Sequence, residues 1–192
     1  MTLPKTILLA TKNPGKLKEY QALFEGLPIE LKTLNDVDFP DVDETGTTFF
    51  ENAKLKADSA FELTGMPTLA EDSGLCVDAL DGAPGIYTAR YGGMEKLLEA
   101  IKSRENSRKA HYHCCLAYKD SHETTQKFEG NLQGSIATEI SGENGFGFDP
   151  VFIPEGLSKT VANLDEKTVL PIRHRTIALQ KFIEHLKELN AA

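Results

Sequence analysis

Residues 6–16 read T-I-L-L-A-T-K-N-P-G-K, and this stretch decides how the chain begins to fold. The short apolar run at residues 6–10 is typical of a buried strand. Residues 11–16 contain proline and glycine and predict a turn. Apolar side chains then recur at helical spacing, at Leu17, Tyr20, Leu23 and Phe24. The stretch therefore predicts a strand, a turn and a helix in direct succession.

The rest of the chain continues to mix strands with helices. A capping box, Thr48-x-x-Glu51, begins a helix that Gly65 and Pro67 end. Further strands are predicted at residues 29–34, 68–70, 75–80, 110–118 and 124–140. Further helices are predicted at residues 94–101 and 171–189. Long neighbouring strands late in the chain, together with these helices, indicate an α/β fold with a mixed sheet.

Composition narrows the class of protein. At 192 residues, we expect one domain spanning residues 1–192. A formal net charge of −8 without a basic block argues against binding to a DNA or RNA polymer. The apolar stretches are shorter than the ~20 residues of a membrane span. The three cysteines, Cys76, Cys114 and Cys115, form no disulfide framework, so we expect a cytosolic protein.

The turn at residues 11–16 is the first candidate binding element. The start of a helix carries free amides and a partial positive charge, and both favour anions. Four lysines, Lys5, Lys12, Lys16 and Lys18, precede the first acidic residue, Glu19. This local charge in an acidic chain favours a small anion over a polymer. A solvated basic helix end is the alternative interpretation.

Acidic residues form the second candidate element. A loop carries Asp36, Asp38, Asp41, Asp43 and Glu44, and the pair Glu71-Asp72 follows the apolar residues 68–70. Carboxylates with waters and substrate phosphates are the usual ligands of Mg²⁺. Because ligands gather at strand ends in α/β sheets, the pair at the predicted strand end is the stronger signal. A solvated acidic loop is the alternative.

Two later segments are candidates for holding a base. Residues 142–150 read G-E-N-G-F-G-F-D-P, a glycine-rich loop with two aromatic rings, and such a ring can stack on a base. A hairpin-like loop with core aromatics is the alternative. Lys167 and Arg173-His174-Arg175 precede the last helix, and an arginine can fork two donors onto a carbonyl or phosphate oxygen. A structural cap or a surface ion pair is an equally good interpretation of these residues.

Taken together and in order, these segments resemble the inosine/xanthosine triphosphate pyrophosphatases. The matching motifs are A-T-K-N-P-G-K (10–16), D-E-T-G-T-T-F-F-E-N-A-K-L-K-A (43–57), A-E-D-S-G-L-C-V-D-A-L (70–80), G-A-P-G-I-Y-T-A-R-Y (82–91), G-F-G-F-D-P-V-F (145–152) and H-R (174–175). The resemblance implies an elongated mixed sheet flanked by helices, two lobes around a central cleft, and a homodimer. It also implies Mg²⁺-dependent hydrolysis of deaminated purine nucleoside triphosphates (ITP, dITP, XTP) to the monophosphate and pyrophosphate.

The resemblance also implies a role for individual residues. The triphosphate would be wrapped by Thr11, Lys12, Asn13, Pro14, Gly15 and Lys16, with Lys56 reaching a phosphate. Mg²⁺ would be held by Asp43, with Glu44 as the fallback, and by Asp72, which is also the general base; Glu71 would be a further metal contact. Substrate would also contact Ser73, Phe146, Gly147, Phe148, Asp149, Lys167, His174 and Arg175, with Phe146 stacking on the base. Relatives usually read Ser-His-Arg, whereas Arg173 precedes His174 here.

Two other functions stay open at this stage. One is a pyrophosphatase for modified pyrimidine triphosphates, and the other is a nucleotide sensor that binds without catalysis. The G-F-G-F-D-P and H-R motifs favour purines, and the acidic pair Glu71-Asp72 favours an enzyme.

Overall fold

The computed structural model describes residues 4–37, 39–40, 42–104, 107–121 and 123–191. The strands are β1 (Thr6–Ala10), β2 (Glu30–Thr33), β3 (Thr68–Val77), β4 (Lys109–Lys119), β5 (Gln126–Ile136) and β6 (Phe152–Pro154). The α-helices are α1 (Pro14–Phe24), α2 (Phe49–Thr64), α3 (Met94–Ile101), α4 (Glu166–Val169) and α5 (His174–Ala191). In the described part of the chain, no helix combines the length and hydrophobicity needed to cross a membrane.

The strands form one mixed sheet in the order β2-β1-β3-β4-β5-β6. Strand β1 runs parallel to both β2 and β3, with Leu8 opposite Thr68. Strand β5 runs antiparallel to β6, with Ser135 opposite Ile153. The predicted α/β class and mixed sheet are therefore confirmed, whereas the elongated shape, the two lobes and the central cleft stay predictions.

The chain divides into two compact units, and each contains its own core. The first unit comprises residues 1–72, 115–129 and 178–192, and the second comprises residues 73–114 and 130–177. In the first unit, the alanine face of α2 is fully buried against Leu8 and Ala70. The second core is formed chiefly by Leu75, Leu97, Tyr112, Phe152 and Val161. A single domain over residues 1–192 stays a prediction.

Strand β3 corrects the prediction of two short strands. It runs unbroken from Thr68 to Val77, so Glu71 and Asp72 lie inside a strand and not at the end of one. The E-D-S-G sequence is tolerated there because both carboxylates have partners within the fold. Gly74 is needed for packing, since a Cβ atom at this position would lie 2.2 Å from the carbonyl oxygen of Gly85.

Several helix and strand ends follow from local chemistry. The predicted capping box is present, with Thr48 accepting from the amide of Glu51, and Gly65 ends α2 with a φ of 67°. Helix α1 begins at Pro14, inside the predicted turn. Strand β5 is shorter than residues 124–140, and α5 begins at residue 174, because residues 170–172 form a separate 3-10 turn.

Candidate active site

The turn before α1 places two lysines beside the helix start. The Asn13 side chain caps the helix and accepts hydrogen bonds from the amides of Gly15 (3.0 Å) and Lys16 (3.1 Å). Thr11 Oγ1 accepts from the Asn13 amide at 3.2 Å, and Pro14 has no amide hydrogen. Since these amides are already bonded, the charge that this turn presents to an anion comes mainly from the side chains of Lys12 and Lys16.

Glu71 holds Lys16 in a defined position. The Glu71 side chain is fully buried, and its Oε1 lies 3.1 Å from Lys16 Nζ. Tyr20 Oη donates to the other oxygen, Glu71 Oε2, at 2.5 Å. A buried carboxylate needs such partners because burial without them is costly. These contacts indicate that Glu71 orients the lysine, and the metal contact that the family resemblance implies stays a prediction.

Asp72 is a buried titratable group of the first unit. Its side chain is buried, and Asn52 Nδ2 donates to Asp72 Oδ2 at 3.1 Å. Burial raises the pKa of Asp72; the charges of Lys56 and Lys16 and the Asn52 hydrogen bond oppose that rise, and the charge of Glu44 adds to it. The result is a carboxylate with a raised pKa among cations, which is the setting expected of a general base.

The acidic loop contributes Glu44 to this group of charges. Lys56 Nζ lies 2.5 Å from Glu44 Oε1, and the charge of Glu44 reaches Asp72. Asp43, the expected metal ligand, is exposed. The fallback residue Glu44 is therefore the loop acid that the structure brings together with Asp72 and Lys56.

Other members of the acidic loop have different positions. Asp36 is structural, because its carboxylate accepts hydrogen bonds from the Thr33 amide (2.7 Å) and from the Thr33 hydroxyl (2.9 Å). The hydrogen bond from the amide lowers the pKa of Asp36. Asp38 and Asp41 lie outside the described residues. Within the described ranges, no three His, Cys, Asp or Glu side chains form a cluster that could hold a metal ion.

Asn52 ties Asp72 to the acidic loop, which gives a prediction about stability. Its Oδ1 accepts from the Gly46 amide at 2.8 Å, while its Nδ2 donates to Asp72. Asn52→Ala leaves both partners without these bonds, so we expect it to lower the free energy of unfolding by about 1–3 kcal/mol. Urea denaturation measures this loss. Glu62→Ala, at an exposed position of the same helix, is the control and should change stability by no more than about 0.5 kcal/mol. Equal losses in the two variants would contradict the role of Asn52.

The second unit brings together three residues expected to contact the substrate, of which Phe146 and Arg175 are expected at the base. Arg175 Nη2 donates to Ser73 Oγ at 2.9 Å. The Arg175 guanidinium carbon lies 5.3 Å from the centroid of the Phe146 ring, a cation–π distance. Arg175 is buried and Phe146 is half-buried. A planar cation, a hydroxyl and an aromatic ring are the groups that recognise a flat heterocycle.

The other residues expected near the base have mixed environments. Phe148 is part of the second unit's core, as the alternative interpretation of this loop predicts, and Gly147 is exposed with a φ of 62°. His174 is buried and stacks on Tyr112, with ring centroids 4.9 Å apart and 9° between the planes. Lys167 is exposed on helix α4.

Comparison with known proteins decides the family. The model of the Ham1 family matches residues 7–185. The chain belongs to the Ham1 family. A dITP/XTP pyrophosphatase of an Exiguobacterium species is 45% identical over 184 residues, covering 91% of this chain and 93% of the relative. A dITP/XTP pyrophosphatase of Listeria monocytogenes is 41% identical over 195 residues, covering 95% of both chains. The solved structure of a HAM1 protein from Coxiella burnetii has a TM-score of 0.85 and 37% identity, covering 100% of both chains.

Sequence reasoning missed two residues that shape the site of this Ham1 protein, and it missed the partner of a third. Tyr20 fits the apolar periodicity of α1, and that pattern does not indicate that the Tyr20 hydroxyl contacts Glu71. Asn52 follows the capping box inside an alanine-rich helix, and a polar residue on that buried face was the available signal. Arg173 interrupts the usual Ser-His-Arg motif, which marked the position without indicating its partner.

Proposed function

We propose that this Ham1 protein hydrolyses deaminated purine nucleoside triphosphates, namely ITP, dITP and XTP, to the monophosphate and pyrophosphate. The observation that carries the proposal is the buried Asp72 carboxylate, whose pKa is set by burial and by the charges of Lys56 and Lys16. Relatives that share about two-fifths of their residues with this chain are dITP/XTP pyrophosphatases, which supports the same reaction here.

The first unit contains the residues that we assign to the phosphates. Water attacks the α-phosphorus, its proton passes to Asp72, and the bond between the α-phosphorus and the bridging oxygen breaks to release pyrophosphate. Lys16, held by Glu71, and Lys56 neutralise the charge that develops on the leaving group. Thr11, Lys12 and Asn13 complete the phosphate-binding turn. Positioning and charge neutralisation supply most of the catalysis in such reactions.

The same unit has carboxylates that fit a hard divalent cation. Mg²⁺ usually takes one or two protein carboxylates and completes its shell with water and phosphate oxygens. Asp72 and Glu44 interact electrostatically and meet this requirement, and Asp43 is adjacent in sequence. We assign Mg²⁺ to Asp72 and Glu44, where it would supply positive charge to the phosphate oxygens.

The second unit contains the residues that we assign to the base. Phe146 stacks on the ring, and Arg175 donates to the carbonyl at position 6 of hypoxanthine or xanthine. Adenine carries an amino donor at that position, so the donor that Arg175 directs at the base would meet another donor. His174 and Lys167 are assigned to the same pocket, and Ser73 is assigned to a further contact with the substrate. The G-F-G-F-D-P and H-R motifs favour purines over modified pyrimidines.

One assay tests the substrate class. Pyrophosphate release is measured with ITP, XTP, dITP, GTP, ATP and dTTP in Mg²⁺ and again in EDTA. We expect kcat/KM for ITP, XTP and dITP to exceed that for ATP by a factor of about 10³ or more, because unpaired buried donors are costly. EDTA should abolish release. Preference for a pyrimidine triphosphate would favour the second candidate activity, and binding without release would indicate a sensor.

A homodimer in the cytosol completes the proposal, with nucleotides and not nucleic acid polymers as ligands. The acidic net charge of −8 supports the exclusion of polymers. Sedimentation velocity at micromolar concentration tests the dimer, and a species of about 21 kDa alone would contradict it.

A further inference from the structure

Asp149 and Arg173 form a buried ion pair in the second unit. Arg173 Nη2 lies 3.0 Å from Asp149 Oδ2, and Arg173 Nη1 lies 3.4 Å from Asp149 Oδ1. Both residues are less than a tenth exposed. Removing two charges from water is costly, and such a pair persists only where each charge has its partner and further hydrogen bonds. The surroundings of Asp149 therefore show what the pair does.

The Asp149 carboxylate is saturated by protein donors. Its Oδ2 also accepts from the Phe146 amide at 3.1 Å, and its Oδ1 also accepts from Tyr112 Oη at 3.3 Å. Burial, followed by the charge of Asp149, raises the pKa of Tyr112, so this hydroxyl stays protonated and remains a donor. A carboxylate has about four acceptor positions, and the four protein donors occupy them. In this arrangement Asp149 has no acceptor position left for a base.

The backbone before Phe146 is shaped around the same carboxylate. Gly145 has a φ of 77°, and a Cβ atom there would lie 2.1 Å from Asp149 Oδ2. Glycine is therefore required for both the conformation and the close approach. The conformation of residues 145–146 depends on where Asp149 is held, and Arg173 is the charged group that holds it.

We propose that Arg173 is a positioning residue for the purine base, acting through Asp149 on Phe146. The proposal rests on the proposed function, in which the Phe146 ring stacks on the base. Arg173 neutralises Asp149, whose carboxylate fixes the Phe146 backbone, and Arg175 lies 5.3 Å from the ring centroid of the same residue. His174, which lies between these two arginines in the sequence, is held in place by stacking on Tyr112. One short segment thus orders both the backbone and the ring of Phe146.

A charge-removal cycle tests the proposal. Arg173→Met keeps the apolar volume of the side chain but leaves the negative charge of Asp149 uncompensated. Asp149→Asn leaves the positive charge of Arg173 uncompensated. The double variant Asp149→Asn/Arg173→Met has neither charge of the pair, and the amide that replaces the carboxylate retains an oxygen to accept from the Phe146 amide. For each protein, KM and kcat are measured with ITP, and inorganic tripolyphosphate, which has no base, is titrated as a competitive inhibitor.

The expected results separate positioning from general damage. Each single variant should raise KM for ITP about tenfold, the scale of one base–aromatic stacking contact, while kcat and the inhibition constant of tripolyphosphate change no more than about twofold. The double variant should return KM to within about threefold of the wild type, because the pair is needed only to compensate charge. If one single variant does not fold, the other single variant and the double variant together decide the outcome.

Other results overturn the proposal. KM unchanged in Arg173→Met, KM and the tripolyphosphate constant rising together, or a double variant as impaired as the singles would each show that Arg173 does not act through Asp149. Failure of the proposed function has a different signature, since the wild-type protein would then release no pyrophosphate from ITP before any variant is measured.

Discussion

Asp72→Asn should lower kcat for ITP hydrolysis by a factor of about 10² to 10⁴, the usual contribution of a positioned general base. Asparagine keeps the size of the side chain and an oxygen that can accept from Asn52 Nδ2, so the hydrogen bond observed at Oδ2 can persist. What disappears is the group that takes the proton from water. Pyrophosphate release under saturating ITP and Mg²⁺ measures the loss.

The same substitution should stabilise the fold at neutral pH. Burial raises the pKa of Asp72 above its unfolded value, so the folded protein holds this proton to a higher pH than the unfolded chain does. Wild-type stability is therefore lost as pH rises from the unfolded pKa through the folded pKa, and the uncharged amide of Asp72→Asn removes that loss. In EDTA, we expect thermal unfolding of Asp72→Asn at a higher temperature than the wild type at pH 7, and at a similar temperature well below the unfolded pKa.

A matched control separates chemistry from folding. Asp78→Asn makes the same chemical change at an exposed position directly after β3, and it should leave kcat within about twofold of the wild type. Near-normal turnover in Asp72→Asn would remove Asp72 from the role of base. Loss of turnover together with a lower melting temperature at pH 7 would instead indicate that the carboxylate is structural.

Local signals predicted the parts of the fold that local chemistry determines. The Thr48–Glu51 capping box and the glycine that ends α2 act within one helix, so four or five residues contain all the information. Strand β3 is different, because the buried carboxylate of Glu71 is stabilised by Lys16 and Tyr20, more than fifty residues earlier. A local pattern cannot show such a partner, and E-D-S-G therefore resembled a turn.

The candidate site shows the same division. Motif order predicted Asp72, Phe146 and Arg175, and the structure places Asp72 among cations and Arg175 beside Phe146. The sequence leaves the metal ligand open between Asp43 and Glu44, because a loop without periodicity does not indicate which side chain turns toward Lys56. The structure pairs Glu44 with Lys56, and the assignment of Mg²⁺ to Glu44 stays a proposal. The motif around Asp149 predicts a contact with the base, and that contact stays a prediction. The motif does not indicate the ion-pair partner of Asp149, Arg173, which lies 24 residues away.

Arg175→Ala should remove most of the discrimination between hypoxanthine and adenine. The guanidinium is the buried donor that we assign to the 6-carbonyl, so its loss should lower kcat/KM for ITP by a factor of about 10² to 10³. With ATP, the substitution removes an unfavourable contact between two donors along with a favourable packing contact. We therefore expect kcat/KM for ATP to fall far less. The measured quantity is the ratio of kcat/KM for ITP to that for ATP, which we expect to fall at least about tenfold.

The chain contains a matched arginine for comparison. Arg90 is exposed and lies over the Tyr87 ring at 5.4 Å, nearly the distance of Arg175 from Phe146, so Arg90→Ala removes a similar cation–π contact at a solvated position. We expect Arg90→Ala to leave the ITP-to-ATP ratio unchanged. Arg175→Lys retains the charge but loses the planar fork, and should give an intermediate ratio. A ratio that stays at the wild-type value in Arg175→Ala would show that base selection resides in other residues, because removal of the assigned donor would then have no effect on adenine.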